Sequence, residues 1–447
     1  MRVEYGPHHM NVPTVTERAI RRRIARHGPI TFAEYMARAL YGPGGYYTRS
    51  GARDDYYTSP QVHPAFGALL AVQLFRFWQL LDRPHPFDVI EPGAGDGLLG
   101  RDIRNAAAHL PEGFAGSLRY VVCDRHPAGR NLRSLTTGTI AADARCLPFR
   151  NVTGCVISNE LLDALPVHRV RMEGGALREL YVGIESDVAD GYEGQLVEIT
   201  GDPSTPNLER RLSDVGVSLS DGQTAEICLL LDDWAESIAT TLDTGFVLTI
   251  DYGRSAHDLY DPNQRPHGTL VTYRAHRQTD TPLLDTGRQD ITAQVDFTSV
   301  RLAGERAGLT TVGNMPQGRF LSRLGLQTIR RNGPPRDSGG GGWITIPIDR
   351  EGALPDALAE PFAPVQDDSR DWLTGLTHLV RPGGLGDFRV LVQARGLPAD
   401  RAASAISWLD SSDSADGYTP AELAAMIPAE ALALDPERLR LAGPALL

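Results

Sequence analysis

Residues 156–170, VISNELLDALPVHRV, carry an apolar run straight into Asn159 and Glu160. A carboxylate at the end of a buried strand is costly unless something pairs with it. Glu160 is therefore a candidate for holding a cation. A second stretch with chemical potential is EPGAGDG at 91–97. Gly93, Gly95 and Gly97 let the backbone turn sharply and approach a ligand, and the helix that follows offers free N–H groups. Acids recur around this loop. Glu91 opens it, Asp124 ends the next apolar run, and Asp143 follows the third.

Two ligand classes fit a strand, a glycine loop and a helix. A dinucleotide site wants G-x-G-x-x-G. Here Leu98 stands where the third glycine would fall, and Glu91 would repel a pyrophosphate. Both features disfavour a nicotinamide-dependent oxidoreductase. S-adenosylmethionine has no phosphate and brings a sulfonium and an ammonium, so an acid-rich loop suits it better. In that reading Glu91, Gly93, Ala94, Gly95 and Gly97 cradle the cofactor. Asp124 takes the ribose hydroxyls, a role common to both ligand classes. Asp143 accepts from the adenine amine, and Asn159 and Glu160 face the reactive methyl.

The elements that must position these residues follow from periodicity. FDVIEP, LRYVVCD, TGTIA, TGCVISN and GFVLTID are continuous apolar runs, the pattern of a parallel sheet covered on both faces. Helical patterns separate them, so the expected fold is α/β and doubly wound with right-handed crossovers. Its strand C-termini flank the crevice where ligands collect. DFRVLVQARGL reads as a late strand closing the sheet. RVRMEGGALRELYVGIE alternates around Gly174-Gly175 and reads as a β-hairpin outside it. Before the sheet come a helix over 16–27, a second helix opened by Thr31 and Glu34 as a capping box, and a long apolar helix over 66–81. The expected organisation is an N-terminal arm, helices and loop at 1–82, a core domain at 83–396 with insertions at about 166–205 and 254–350, and a tail at 397–447. The first dozen residues read as a loose arm and GPPRDSGGGGW as a flexible surface loop. The tail reads as an appendage with one short helix at TPAELAAMI.

Composition narrows the function. A formal net charge of −12 argues against a general nucleic-acid binder. The basic run RAIRRRIARHG is local and reads as a solvated helix face. No window reaches the roughly 18 apolar residues of a membrane span. No secretory signal is read at the N-terminus, and Cys123, Cys146, Cys155 and Cys228 form no C-x-x-C pair and read as buried thiols of a reducing compartment. The expected location is cytoplasmic. No spacing of His, Cys and acids resembles a metal site. The oligomeric state is open, a homodimer being one option.

Several stretches together carry a family resemblance. GPITFAEYMARALYGPGGYY, DDYYTSPQVHPAFGALL, EPGAGDG, ISNELLDALPVHR, IDYG, GTLVTYRAHRQTDTPLLDTGRQDITAQVDFTSV and QGRFLSRLG span roughly residues 16–396. In them the chain resembles the MidA-like family of S-adenosylmethionine-dependent methyltransferases, whose mitochondrial members take part in assembling respiratory complex I. The resemblance implies a class I, Rossmann-like fold with seven strands, the last hairpin adding an antiparallel strand. It implies methyl transfer, with protein arginine as the acceptor in mitochondrial members, and a lid over the cofactor from Thr58, Ser59 and Pro60. The chain departs from the pattern at Asp54-Asp55-Tyr56-Tyr57 for Gly-Asp-Phe, Gln61 for Glu, Pro92 for Leu and Asp124 for Glu. Gln61 bears on the acceptor side more than on the cofactor.

Methyl transfer needs alignment rather than a protein nucleophile. Carboxylates can pin a guanidinium fork and localise its charge away from the attacking nitrogen. Glu160 and Asp163 are the candidates, Asp163 reaching the same side if a helical turn begins after the strand. The plain structural alternative has Glu160 capping the following helix and Asp163 pairing with His168 or Arg169. His276 is a candidate general base. Asp163, His168, Asp251, Tyr252 and Tyr273 are the candidate acceptor-binding residues, and Asp296 reads as an N-cap. The leading function is N-methylation of a protein side chain. A small-molecule acceptor, or a cofactor-binding assembly protein with little turnover, are the alternatives.

Overall fold

The computed structural model describes residues 13–49, 57–111, 113–125, 137–185, 194–274, 277–334, 368–410 and 418–434. The expectations for the first dozen residues, the glycine-rich loop from residue 335 and His276 lie outside them. The chain forms two compact units. Tyr57–Leu162, Leu231–Arg254 and Val295–Leu447 make the first, and Met1–Tyr56, Asp163–Leu230 and Ser255–Gln294 the second.

The first unit is built on the apolar runs. They form β1 (Phe87–Pro92), β2 (Leu118–Asp124), β3 (Gly138–Ala141), β4 (Val152–Asn159), β5 (Leu242–Asp251), β6 (Thr310–Pro316) and β7 (Arg389–Arg395). Their order across one sheet is β6-β7-β5-β4-β1-β2-β3. The pairs β3–β2, β2–β1, β1–β4 and β4–β5 are parallel. β7 runs antiparallel to both β5 and β6, so the late strand closes the sheet as a mixed one. The strand order reverses between β1 and β4. Both carry their C-terminal ends to the same edge, which makes that junction the switch point.

Helices α1 (Ser59–Val62), α2 (Ala65–Leu80), α3 (Leu98–Ala107), α4 (Leu231–Thr241), α5 (Phe297–Arg306), α6 (Asp368–Val380), α7 (Ala399–Ser407) and α8 (Pro420–Ala425) belong to this unit. α2 is buried continuously from Ala65 to Trp78, and Phe77 stacks on Phe246 of β5 at 4.2 Å between ring centroids. It thus packs with the sheet, although the sequence places it in the N-terminal segment. Asp296 caps α5 by accepting the Thr298 and Ser299 N–H groups. The expectation of an appended tail needs correcting for its described part. Ile406, Trp408, Leu409, Leu423, Ile427 and Leu432 are buried in the same core as α2, and Gln73 donates to the Ala405 carbonyl at 3.0 Å. Apolar residues at helical spacing there need a covered face, and the core supplies it.

The second unit holds the hairpin predicted from alternation. His168–Glu173 and Ala176–Ile184 pair antiparallel around Gly174 and Gly175, both at positive φ. Ile30–Thr31, Leu196–Gly201 and Thr224–Ile227 complete a five-stranded sheet. Helices Val15–His27 and Phe32–Tyr41 start at Thr14 and Thr31, whose side chains accept the Glu17 and Glu34 N–H groups. Cys123 and Cys155 are buried as expected, but Cys146 is exposed and Cys228 only half-buried. Among the described residues no helix is long and apolar enough to cross a membrane.

Candidate functional site

The glycine loop leaves β1 through a tight turn. The Gly93 N–H donates to the Cys123 carbonyl at 2.7 Å, and Gly97 to Ala94 at 2.9 Å. Gly93, Gly95 and Gly97 have φ of 74°, 60° and 79°. Three left-handed positions in five residues explain why glycine alternates there. A Cβ on Gly93 would stand 2.7 Å from Leu161 Cδ1. The residue after Glu160 therefore rests on the glycine loop, and the ends of β1 and β4 meet in side-chain contact. Asp96 Oδ1 accepts the Leu98 N–H at 3.1 Å and starts α3.

The acids at this edge differ in state. Glu91 is buried and accepts the Tyr120 hydroxyl at 2.9 Å. Burial pushes its carboxyl up to about 8; the Tyr120 hydrogen bond opposes that rise, while Asp96 and Asp124 add to it. The expectation of a carboxylate at Glu91 is thus corrected: in the free protein it keeps its proton at neutral pH, because burial disfavours the charged form and, among the described residues, no cation is paired with it. Asp124 ends β2, half-buried. Burial alone would raise the Asp143 carboxyl, but Arg145 and Arg125 hold it well below the usual carboxylate range. Its Oδ1 accepts the Arg145 Nε and backbone N–H, and its Oδ2 accepts both guanidiniums. An adenine amine would have to share those oxygens with two arginines.

The donor set and the cradle fit S-adenosylmethionine. Glycines at 93, 95 and 97 expose backbone at the switch point, and Asp96 and Asp124 gather negative potential in the same place, beside the protonated Glu91. That potential favours a ligand bearing a sulfonium and an ammonium over one bearing a pyrophosphate.

Glu160 follows the last residue of β4 with φ of 49°, a left-handed conformation seldom taken by residues with a side chain. Its N–H donates to the Ile250 carbonyl at 2.9 Å. The next two N–H groups, of Leu161 and Leu162, donate to Asp251 Oδ2 at 3.1 and 2.8 Å. Asp251 Oδ1 accepts the Tyr252 N–H at 2.9 Å. A turn follows the strand, not a helix, so Glu160 caps no helix after it. Its Oε1 instead accepts the Ser59 N–H and the Asn159 amide, each at 3.0 Å. Asn159 Oδ1 is buried with no hydrogen-bond partner among the described residues.

Thr58, Ser59 and Pro60 open α1. The Thr58 N–H donates to Gln61 Oε1 at 2.9 Å, so the glutamine that departs from the family pattern closes this turn. Ser59, Pro60 and Gln61 are buried. The Ser59 hydroxyl pairs with the side chain of Gln317, which donates to the Leu379 carbonyl at 3.0 Å. This is a pinned turn on Glu160.

Asp251, expected to line an acceptor pocket, is fully buried, and its carboxylate holds the 160–162 turn. Tyr252 is half-buried against Phe388, ring centroids 5.6 Å apart. Asp163 begins the other unit, where it is buried and its carbonyl accepts the Ala293 N–H. No helical turn carries it to the side of Glu160. His168 Nδ1 lies 2.7 Å from Glu179 Oε1 within the sheet of that unit, and Arg169 pairs with Glu198 and Glu226. These glutamates, not Asp163, take the partners expected for it. The Tyr273 hydroxyl donates to Gln278 at 3.1 Å across its own hairpin. The first unit thus brings together Ser59, Glu91, the glycines, Asp124, Asn159 and Glu160. Asp163, His168 and Tyr273 fall in the second.

Tyr120, Leu161 and Gln317 escape sequence reasoning. Gln317 stands in the quoted QGRFLSRLG stretch without a role. Tyr120 pairs with Val89 in register, which puts it diagonal to Glu91, and only strand register gives that.

Known proteins are similar to this chain in sequence and fold. A family model for S-adenosyl-L-methionine-dependent methyltransferases matches residues 69–315. The protein arginine methyltransferase NDUFAF7 homolog, mitochondrial, of Drosophila melanogaster is 29% identical over 335 residues, covering 68% of this chain and 74% of the relative. The human mitochondrial protein arginine methyltransferase NDUFAF7 is 26% identical over 342 residues, covering 68% and 72%. A crystal structure of a Burkholderia thailandensis protein bound to S-adenosyl-homocysteine superposes with a TM-score of 0.69 at 26% identity, over 87% of this chain and 94% of that one. The expected cytoplasmic location is overturned by the relatives, which carry a mitochondrial designation. Family model, relatives and site agree on the cofactor and the reaction, and the chain belongs to the MidA-like family of S-adenosyl-L-methionine-dependent methyltransferases.

Proposed function

We propose that this methyltransferase acts on a side-chain nitrogen of a protein, with arginine as the acceptor. The observation that carries this is Glu160, an acid held in a left-handed turn at the switch point beside the glycine loop. The sheet is read as the doubly wound class I arrangement, with the cofactor at the β1–β4 junction. Relatives named protein arginine methyltransferases support the acceptor class.

S-adenosylmethionine, when bound, supplies an electrophilic methyl with a neutral thioether as leaving group. Glu91, Gly93, Ala94, Gly95, Gly97, Asp124 and Asn159 are the proposed cofactor contacts. The pinned turn of Thr58, Ser59 and Pro60 orders Glu160 from behind. Glu160 holds the guanidinium cation and keeps the attacking nitrogen in line. The nitrogen gives up its proton to solvent water as the N–C bond forms and the S–C bond breaks, and the charge-assisted contact compensates the cation meanwhile.

The test is incubation of the purified enzyme with methyl-labelled cofactor and a cell lysate, followed by hydrolysis of the protein fraction. Labelled methylarginine is the expected product. Label confined to small molecules would move the acceptor to that class, and bound cofactor without transfer would favour an assembly role.

A further inference from the structure

Glu91, a proposed cofactor contact, pairs with Tyr120, to which the methyl-transfer chemistry gives no role. Both are buried, the phenol donating to Glu91 Oε2 at 2.9 Å. The room for this phenol is made by a particular residue. A Cβ on Gly100, in the first turn of α3, would stand 2.6 Å from Tyr120 Cε1 and 2.9 Å from Cδ1. The ring therefore lies flush on the helix that the glycine loop feeds, with its hydroxyl turned to the acid at the head of that loop. The titratable groups that act on the pair are Asp96 of the loop, Asp124 and Cys123 of β2, Asp102 of α3 and Cys155 of β4. All are acids or thiols, so each adds negative charge or none.

We propose that Tyr120 is the positioning residue for Glu91, and that the cationic cofactor binds with release to solvent of the proton that Glu91 holds in the free protein. The inference rests on the cofactor occupying the glycine loop. Without a cation, an ionised Glu91 would be a bare charge in the interior beside Asp96 and Asp124, and the proton removes that cost. With a cation bound, the ionised form gains a partner and the proton leaves. Tyr120 donates to the acid, which favours the ionised form and eases the exchange. Gly100 keeps the ring in place.

The test is calorimetric titration of the whole protein with S-adenosylmethionine at about pH 7, in two buffers of different ionisation enthalpy. The wild type should release about one proton more than Glu91→Gln, whose amide has the shape of the protonated acid and nothing to release. The ligand's own amine titrates in both proteins and cancels. Tyr120→Phe should bind about tenfold more weakly at pH 7 through loss of one hydrogen bond to the ionised acid. That deficit should close above the pH at which Glu91 ionises in the free variant. A phenol that only filled space would cost the same affinity at every pH. Equal proton release by wild type and Glu91→Gln overturns the proposal, as does a Tyr120→Phe deficit independent of pH. Absence of binding by the wild type would instead overturn the placement of the cofactor on which the proposal rests.

Discussion

The Glu160 carboxylate accepts the Ser59 N–H at 3.0 Å across 101 positions of sequence. The acid at the end of β4 is thus tied to the start of α1, and both belong to one compact unit. Glu160→Gln keeps an acceptor oxygen for Ser59 and loses the charge. Turnover should fall by about 10²-fold, the equivalent of roughly 3 kcal/mol, while cofactor affinity changes only a few-fold. Both are to be measured on the same preparation. Turnover that stays near wild type would remove Glu160 from acceptor binding.

Asp251 predicts a different phenotype. Its two oxygens accept three N–H groups, from Leu161, Leu162 and Tyr252. In Asp251→Asn one oxygen becomes an amide N–H that faces a backbone donor. Stability should drop by about 1–3 kcal/mol for the buried donor left unsatisfied. Denaturant midpoints read this directly, and activity should fall with the displaced 160–162 turn. An unchanged midpoint would mean that another group holds the turn.

Gly93→Ala tests the cradle. The residue sits at φ 74°, and its Cβ would meet Leu161 at 2.7 Å. The left-handed conformation costs about 1–2 kcal/mol for a residue with a side chain, and the loop has to move away from Leu161. Cofactor affinity should fall by at least tenfold, with a smaller loss of thermal stability. Wild-type affinity in this variant would place the cofactor elsewhere.

Glu91 makes stability depend on pH. Burial raises its folded value to about 8, against an ordinary 4.5. Between those values the folded chain holds a proton that the unfolded chain lacks. Its contribution to stability is therefore full below about pH 4.5 and lost as pH rises through about 8. The cofactor-free protein should show a lower urea midpoint at pH 8 than at pH 5, and Glu91→Gln should flatten that difference. A slope retained in the variant would assign the effect to another group.

The sequence by itself determined the strands, the glycine loop and the hairpin, because continuous apolar runs, alternation and Gly-x-Gly-x-Gly are local patterns with local causes. It also placed acids at the strand ends, and with them a cation-bearing cofactor. Tertiary structure decided what each acid does. Glu91 and Asp143 are the same chemistry in sequence, yet burial protonates one and two arginines ionise the other. Asp251 and Glu160 both stand at strand ends, but one is sealed under three N–H groups while the other reaches across to Ser59. His168 found Glu179 and not Asp163. The described part of the tail joined the core because its apolar residues are covered by α2 and its neighbours. Charge state and partnership depend on what lies within a few ångströms, and those neighbours come from segments far apart in the chain, which no local pattern encodes.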